Sequence, residues 1–354
     1  MALSIGIVGL PNVGKSTLFT ALTQKKGLAT NYPFSTIESN IGLVEVSDPR
    51  LQKLAEIVNP GRIVPATVEF VDISGLVKGA NKGEGLGNQF LSNIRETDAI
   101  IEVVRYFSDD EVIHVTGKPD PERDSEIIRT ELILADLGTI ERVLIRLEKD
   151  AKKDKNLVAK LDTVRRLQDW MDVGNRALTF EMTEEQRGHL YDLHLLTMKP
   201  LLYVANVDEA QAACEVPALD GVKPIAISAK IESEIVEMET EEASEYFEMI
   251  GLSQSSLERL IKAAYELLGL QSFFTAGEME VKAWTIPIGA KAPQAAGVIH
   301  SDFERGFIKA ETVSYNDYIA YHGEAGARAA GKLRQEGKEY VVQDGDVMHF
   351  KFNI

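Results

Sequence analysis

The chain reads as an α/β fold. A parallel sheet carries a phosphate-binding loop, an antiparallel helical hairpin is inserted into it, and a small α+β domain follows at the C-terminal end. Three observations predict this. Short apolar runs alternate with helical stretches, as the strands of a parallel sheet buried on both faces do. From about Ile127 to Leu196, Gly and Pro become rare, charge becomes dense and leucines recur at helical spacing. After Phe273–Gly277 the pattern turns β-rich.

The apolar runs are Ser4–Leu10, Thr67–Asp72, Ala99–Tyr106, Leu201–Asn206 and Pro224–Ser228. Most lead straight into polar or Gly-rich residues, and ligands of such sheets bind outside the carboxyl ends of the strands. In the insertion, Leu132, Leu134, Leu137, Ile140, Val143, Leu144 and Leu147 mark one helix. A polar break at Asp150–Asn156 follows, and Val158, Leu161, Val164, Leu167 and Trp170 mark a second helix. With no strand pattern to pack against, the pair is expected to project as a hairpin, two ordinary surface helices being the alternative. Ser253–Leu270 reads as a further amphipathic helix closed by Gly269. The tail carries strands at Val281–Ile288, Phe307–Val313, Tyr340–Val342 and Val347–Phe352, with helices at Gln294–Asp302 and His322–Gly337. The expected domains are 1–127 with 197–274 for the nucleotide-binding sheet, 128–196 for the helical insertion and 275–354 for the tail.

At 354 residues the chain holds two or three domains, and 44% hydrophobic with 26% charged residues allows a sizeable core and argues against disorder. The single cysteine, Cys214, excludes an internal disulfide framework and fits a cytoplasmic setting. No run of 18 apolar residues is present, so no membrane partner is expected. Met1-Ala2-Leu3-Ser4 lacks the basic start of a secretory signal. The net charge of -17 excludes nucleic-acid binding through the overall field. A local exception lies between Lys149 and Arg166, where Lys149, Lys152, Lys153, Lys155, Lys160, Arg165 and Arg166 outnumber Asp150, Asp154 and Asp162. Such a run ordinarily reads as a solvated face, an RNA or ribosome contact being the alternative. No sustained heptad interface is visible, and a monomer is expected.

Gly9-Leu10-Pro11-Asn12-Val13-Gly14-Lys15-Ser16 matches G-x-x-x-x-G-K-[ST], followed by Thr17. The glycines let backbone N–H groups turn toward phosphate oxygens, Lys15 reaches the β- and γ-phosphates, and Ser16 offers a hydroxyl to Mg²⁺. The strand before the loop and the helix from Lys15 supply the context that makes the match specific, so a nucleoside triphosphatase with Mg²⁺ is expected. Asp72-Ile73-Ser74-Gly75 matches D-x-x-G at a strand end. Asp72 is expected to hold a Mg²⁺-bound water and the Gly75 N–H to sense the γ-phosphate. Thr36 is the candidate that completes the Mg²⁺ shell, with Ser35 as its competitor.

Leu76 stands where many GTPases place a water-orienting glutamine, so slow hydrolysis is expected unless another group serves. Asn12, beside a monovalent cation such as K⁺, and His114, in a Gly/Pro-containing loop, are the candidates. A packing histidine is the plainer reading of His114. His189, His194, His300, His322 and His349 show no metal spacing. For the base, Asn206-Val207-Asp208-Glu209 stands where N-K-x-D is usual, with Val207 for the lysine and Glu209 for the acid. Ser228-Ala229-Lys230 resembles the S-A-K motif that closes the base pocket. A carboxylate one methylene longer loosens guanine selection. ATP is the expected nucleotide, GTP the alternative.

Gly9 through Phe19 resembles the Obg-related translation-factor GTPases. Phe70–Ala80, then Gly83-Glu84-Gly85-Leu86-Gly87-Asn88, resemble more narrowly the YchF/Obg-like ATPase branch, as does the loss of N-K-x-D at Asn206–Glu209. Ala283-Trp284-Thr285-Ile286-Pro287, Ala292–Gly297, His300–Glu304 and Asp344-Gly345-Asp346-Val347 are similar to its TGS domain. The resemblance runs almost end to end. It implies an OBG-type G domain, a helical insertion and a ubiquitin-like β-grasp (TGS) domain. It also implies ATP preference, K⁺ stimulation that fits Asn12, and binding to ribosomes (large subunit or 70S) and RNA through the arm and TGS domain. His114 within Ile113-His114-Val115 matches a family position proposed to assist hydrolysis. A ribosome-associated regulatory ATPase is therefore expected. A GTPase of the same architecture, or a nucleotide-gated binding module with incidental hydrolysis, are the alternatives.

Overall fold

The computed structural model describes residues 3–24, 40–73, 88–109, 111–114, 117–212, 214–236, 238, 240–249 and 255–353. In chain order the elements are β1 (Ser4–Val8), α1 (Lys15–Gln24), β2 (Ile41–Val46), α2 (Pro49–Val58), β3 (Ile63–Val64), β4 (Ala66–Asp72), α3 (Asn88–Glu96), β5 (Ala99–Arg105), α4 (Pro121–Asp150), α5 (Val158–Asp172) and α6 (Glu184–Leu190). Then come β6 (Leu201–Asn206), β7 (Ile225–Ile227), α7 (Ala229–Ile235), α8 (Thr240–Met249), α9 (Ser256–Leu267), β8 (Leu270–Ala276), β9 (Val281–Pro287), α10 (Ala292–Ile299), α11 (Ser301–Arg305), β10 (Phe307–Ser314), α12 (Tyr315–Ala320), α13 (Glu324–Ala329), β11 (Arg334–Glu336) and β12 (Asp346–Phe352). They form two compact units. One takes in β1, α1 and Glu69–Leu257; the other takes in Leu43–Val68 and Glu258–Ile354.

The first unit is built on a sheet of order β2-β4-β1-β5-β6-β7, parallel at each pairing from β4 to β7. β1 and β5 are buried along their whole length, as strands covered on both faces must be. Register fixes what meets at the carboxyl ends. Ile7 pairs with Asp72, and Arg105 pairs with Asn206. The Asp72 carboxylate, the P-loop and the Asn206 segment are thereby delivered to one edge.

The predicted hairpin is present. α4 and α5 pack through Ile140, Leu144, Leu147, Val164, Leu167 and Met171. Leu134, assigned to that stripe by spacing, is instead 56% exposed. Position 134 lies two residues from Leu132, about 200° round the helix, and so faces away. α6, which leucine spacing did not reveal, opens on a capping box between Thr183 and Gln186. Asp136 of α4, 1% exposed, accepts hydrogen bonds from the backbone N–H groups of Leu196 and Thr197 at 2.8 Å and from the Thr197 hydroxyl at 2.7 Å. One buried carboxylate thus fixes where the chain re-enters the sheet. Burial raises its pKa, and those hydrogen bonds oppose the rise.

The second unit has a mixed sheet of order β11-β10-β12-β8-β9-β3, with α10 packed over Phe273, Ile286, Ala310 and Phe350, the arrangement of a β-grasp domain. α2 belongs to this unit and is capped by Asp48, with Pro49 in its first turn. Three stretches of the tail differ from expectation. β8 runs over Leu270–Ala276, where a helix end was expected, because Gly269 (φ 63°) stops α9 and the chain turns at once into a strand. Of His322–Gly337 only α13 is helical. Gly323 and Gly331 hold positive φ on either side of it, and Arg334–Glu336 pairs with β10. Tyr340–Val342 makes a single bridge, Lys291 to Val341. No helix among the described residues is long and apolar enough to cross a membrane.

Candidate nucleotide site

The loop between β1 and α1 has the backbone that a phosphate cradle needs. Asn12 and Gly14 both adopt positive φ, 61° and 88°. Gly14 also admits no side chain, since a Cβ there would collide with the Asn206 amide. At Gly9 a Cβ would lie 2.7 Å from the Val103 carbonyl. Both glycines are required by packing as well as by phosphate approach. Ser16 and Thr17 stand in the first turn of α1, and both are exposed.

The Lys15 ammonium is ion-paired with the Asp72 carboxylate, both side chains being little exposed, at 12% and 11%. The structure thus joins the two charged residues that the motifs assigned to phosphate and to Mg²⁺. Ser16 and Asp72 offer an all-oxygen donor set, which suits a small hard cation. Thr36, Gly75 and Leu76 lie outside the described residues.

Asn206 is the organising residue. It is 6% exposed, its amide donates to the Val13 carbonyl at 2.8 Å, and its side-chain oxygen accepts from the Ala229 N–H at 3.0 Å. It therefore ties the P-loop to the Ser228-Ala229 segment. Ser228 caps α7 through the Ile231 N–H. The other members of the altered motif point elsewhere. Val207 is 2% exposed and packs with Ala205, Ala212 and Ile231. Asp208 accepts from the Ser108 N–H at 3.1 Å, and Glu209 is paired with Lys230 at 2.9 Å. In this structure neither carboxylate is presented as a free fork for a base.

His114 is buried, its Nε2 2.9 Å from the Asp124 carboxylate. Asn12 donates from its side chain to the Ile113 carbonyl at 3.0 Å. Val115 lies outside the described residues. Sequence reading missed Asp124 and Arg105. Arg105 is 1% exposed, and its guanidinium donates to the carbonyls of Phe107, Asp109 and Val112. An arginine ending an apolar strand was the available signal. For Asp124 there was none beyond an acidic first turn after Asp120-Pro121.

Known proteins match this chain along its whole length. Residues 4–134 match the family model described as 50S ribosome-binding GTPase, and residues 270–353 match YchF-GTPase_C, described as a protein of unknown function. The chain is 56% identical to a Bacillus subtilis protein named ribosome-binding ATPase YchF and 52% identical to the protein of that name in Escherichia coli O157:H7, each over the full length of both chains. A solved structure titled as the Schizosaccharomyces pombe YchF GTPase superposes with a TM-score of 0.92 at 38% identity, covering 99% of this chain and 97% of that one.

Proposed function

This chain belongs to the YchF family, and on that premise we propose that it is a ribosome-associated regulatory ATPase. It binds and hydrolyses ATP with Mg²⁺. The observation that carries the reading is the Asn206 bridge between Val13 and Ala229, seen together with carboxylates at 208 and 209 that are engaged elsewhere. The base pocket keeps its frame and lacks the free carboxylate fork that would select guanine. The nucleotide residues are Asn12, Val13, Gly14, Lys15, Ser16, Thr17, Gly75, Ser228 and Ala229, with Asn206 bracing the pocket walls. Val207 and Glu209, expected from the motif to join them, instead pack in the core and pair with Lys230, respectively.

Mg²⁺ would be held by Ser16, Thr36 and Asp72, and when bound it supplies positive charge to the phosphate oxygens. The P-loop N–H groups and α1 orient the triphosphate, and Lys15 exchanges Asp72 for phosphate as it binds. With Leu76 in place of glutamine, the water-facing role falls to His114 after a change of position, with Asn12 beside K⁺ at the P-loop. Hydrolysis is therefore slow and suits a timer better than a metabolic engine. We take the OBG-type domain as 1–127 and 197–274, the arm as 128–196 and the TGS domain as 275–354. The compact units divide otherwise, with Leu43–Val68 and 258–274 falling in the second, and the first arm helix starts at Pro121. Arm and TGS domain report the nucleotide state to the ribosome (large subunit or 70S), the arm tip contacting RNA. The protein acts as a cytoplasmic monomer.

GTP is the second reading, favoured by the retained Asn206 frame. Calorimetric titration of the nucleotide-free protein with ATP and with GTP, Mg²⁺ present, separates the two. Tighter ATP binding is expected. Tighter GTP binding would show that Asp208 or Glu209 swings in to read guanine.

A further inference from the structure

The loop that follows β5 reaches three functional parts of the first unit. Near its start, the Ser108 N–H donates to the Asp208 carboxylate at 3.1 Å. Near its end, the Ile113 carbonyl accepts from the Asn12 amide of the P-loop at 3.0 Å. The next residue, His114, meets Asp124 of α4 at 2.9 Å, and the two side chains are 1% and 2% exposed. Between these ties the Arg105 guanidinium gathers three of the loop's carbonyls, so the loop's backbone is braced around one rigid planar group. Asp124 is in turn held by the first turn of the arm helix. It accepts from the Asp120 N–H at 3.3 Å, and Arg123 lies 3.5 Å from its other oxygen.

We propose that Asp124 is a positioning residue that holds His114 off the nucleotide, and that the Asn12–Ile113 bond ties this hold to the P-loop. The inference rests on the ATPase reading above. An imidazole that is 1% exposed, with Nε2 committed to a carboxylate, does not at the same time serve a water at a phosphate. Its release requires parting from Asp124, and the adjacent Ile113 carbonyl is fastened to the loop that phosphate must enter. A nucleotide that claims the Asn12 amide frees Ile113 and loosens the next residue. Because Asp124 stands on α4, the same event reaches the root of the arm.

The test is Asp124→Asn in the full chain, which keeps shape and removes charge. It should raise kcat for ATP by roughly tenfold with KM little changed, since the buried 2.9 Å contact between imidazole and carboxylate is lost from the holding state alone, and a tenfold change corresponds to about 1.4 kcal/mol. Adding His114→Ala should abolish the gain. Amide exchange across 111–114 in the wild-type protein should rise when a non-hydrolysable ATP analogue and Mg²⁺ are added, and in Asp124→Asn it should be high from the start. An unchanged or lower kcat in a folded variant overturns the proposal. So does wild-type exchange that ignores the analogue, which decides the matter if the variant fails to fold. A wild-type protein that binds ATP and never hydrolyses it would defeat the ATPase reading, while the exchange measurement would still judge the hold on His114.

Discussion

Glu102→Gln should stabilise the first unit, and increasingly so as pH rises. Glu102 sits in the middle of β5, 2% exposed, and its Oε1 has no hydrogen-bond partner among the described residues. The two nearest cations are committed elsewhere. Arg176 pairs with Asp220 at 2.6 Å and donates to the Tyr203 hydroxyl at 2.5 Å, and Arg129 pairs with Asp220 at 2.8 Å. Burial pushes the Glu102 carboxyl from 4.5 up to about 8, with Arg176 and Arg129 only partly offsetting it and Asp220 adding to the rise. The sign follows from proton counts. Between those two values the unfolded chain has released the proton and the folded chain still holds it. Stability is therefore fully present below the unfolded value and is lost as pH rises toward the folded one, by about 1.4 kcal/mol per unit. From about pH 5.5 to about pH 7.5 this one group removes roughly 2–3 kcal/mol, and glutamine, which carries no proton to lose, removes none. Trp170 at the arm reports on this unit in a Trp284→Phe background, so urea midpoints at the two pH values measure the difference. Variant and parent curves that stay parallel between them would refute the reasoning, because they would mean that Glu102 folds already ionised.

The remaining predictions concern binding. Asn206→Ala should weaken ATP binding by roughly tenfold or more, because the Val13 carbonyl and the Ala229 N–H each lose a buried partner at about 1–3 kcal/mol. Calorimetry reads the change, and an affinity equal to wild type would show that the two loops hold their places without the bridge. Reversing Lys152, Lys153 and Lys155 to Glu should reduce co-sedimentation with ribosomes most at low salt, since all three are exposed at the turn between α4 and α5 and the Debye length at 0.1 M is only about 10 Å. Undiminished co-sedimentation would take the arm tip out of the contact.

The sheet strands were legible because each is a compact apolar run with a polar exit. Ala99–Tyr106 and Leu201–Asn206 differ from β5 and β6 by at most one residue. The arm was legible because leucines three and four apart fall on one face of a helix and on both faces of a strand. What escaped were elements whose cause is tertiary. β2 alternates weakly and gains its place by joining the edge of the sheet beside β4. β11 is three residues, two of them exposed, and exists only because Thr312, Glu311 and Ala310 of β10 offer it a register. α2 announced itself through Asp48-Pro49, a cap followed by proline at the first helical position, but lacked the long apolar stripe that draws notice.

At the site the divide falls differently. The P-loop pattern names its residues because phosphate chemistry restricts the residue types, and the Lys15–Asp72 contact follows once Ile7 and Asp72 share a register. The base segment is harder, because the same four letters carry two jobs that sequence cannot separate. Asn206 could be taken as a reader of the base. In the structure both ends of its amide are already spent, on Val13 and on Ala229, so its work is to hold the walls apart at the right distance. That role depends on neither purine, which explains how the asparagine can persist while the lysine and acid positions change. Val207 joins the core, where a lysine's ammonium would be buried at high cost, so the substitution and the packing select each other. A lysine restored at 207 should therefore cost stability without restoring guanine preference, which chemical denaturation and calorimetry with GTP would measure. The carboxylates at 208 and 209 would still be occupied by Ser108 and Lys230.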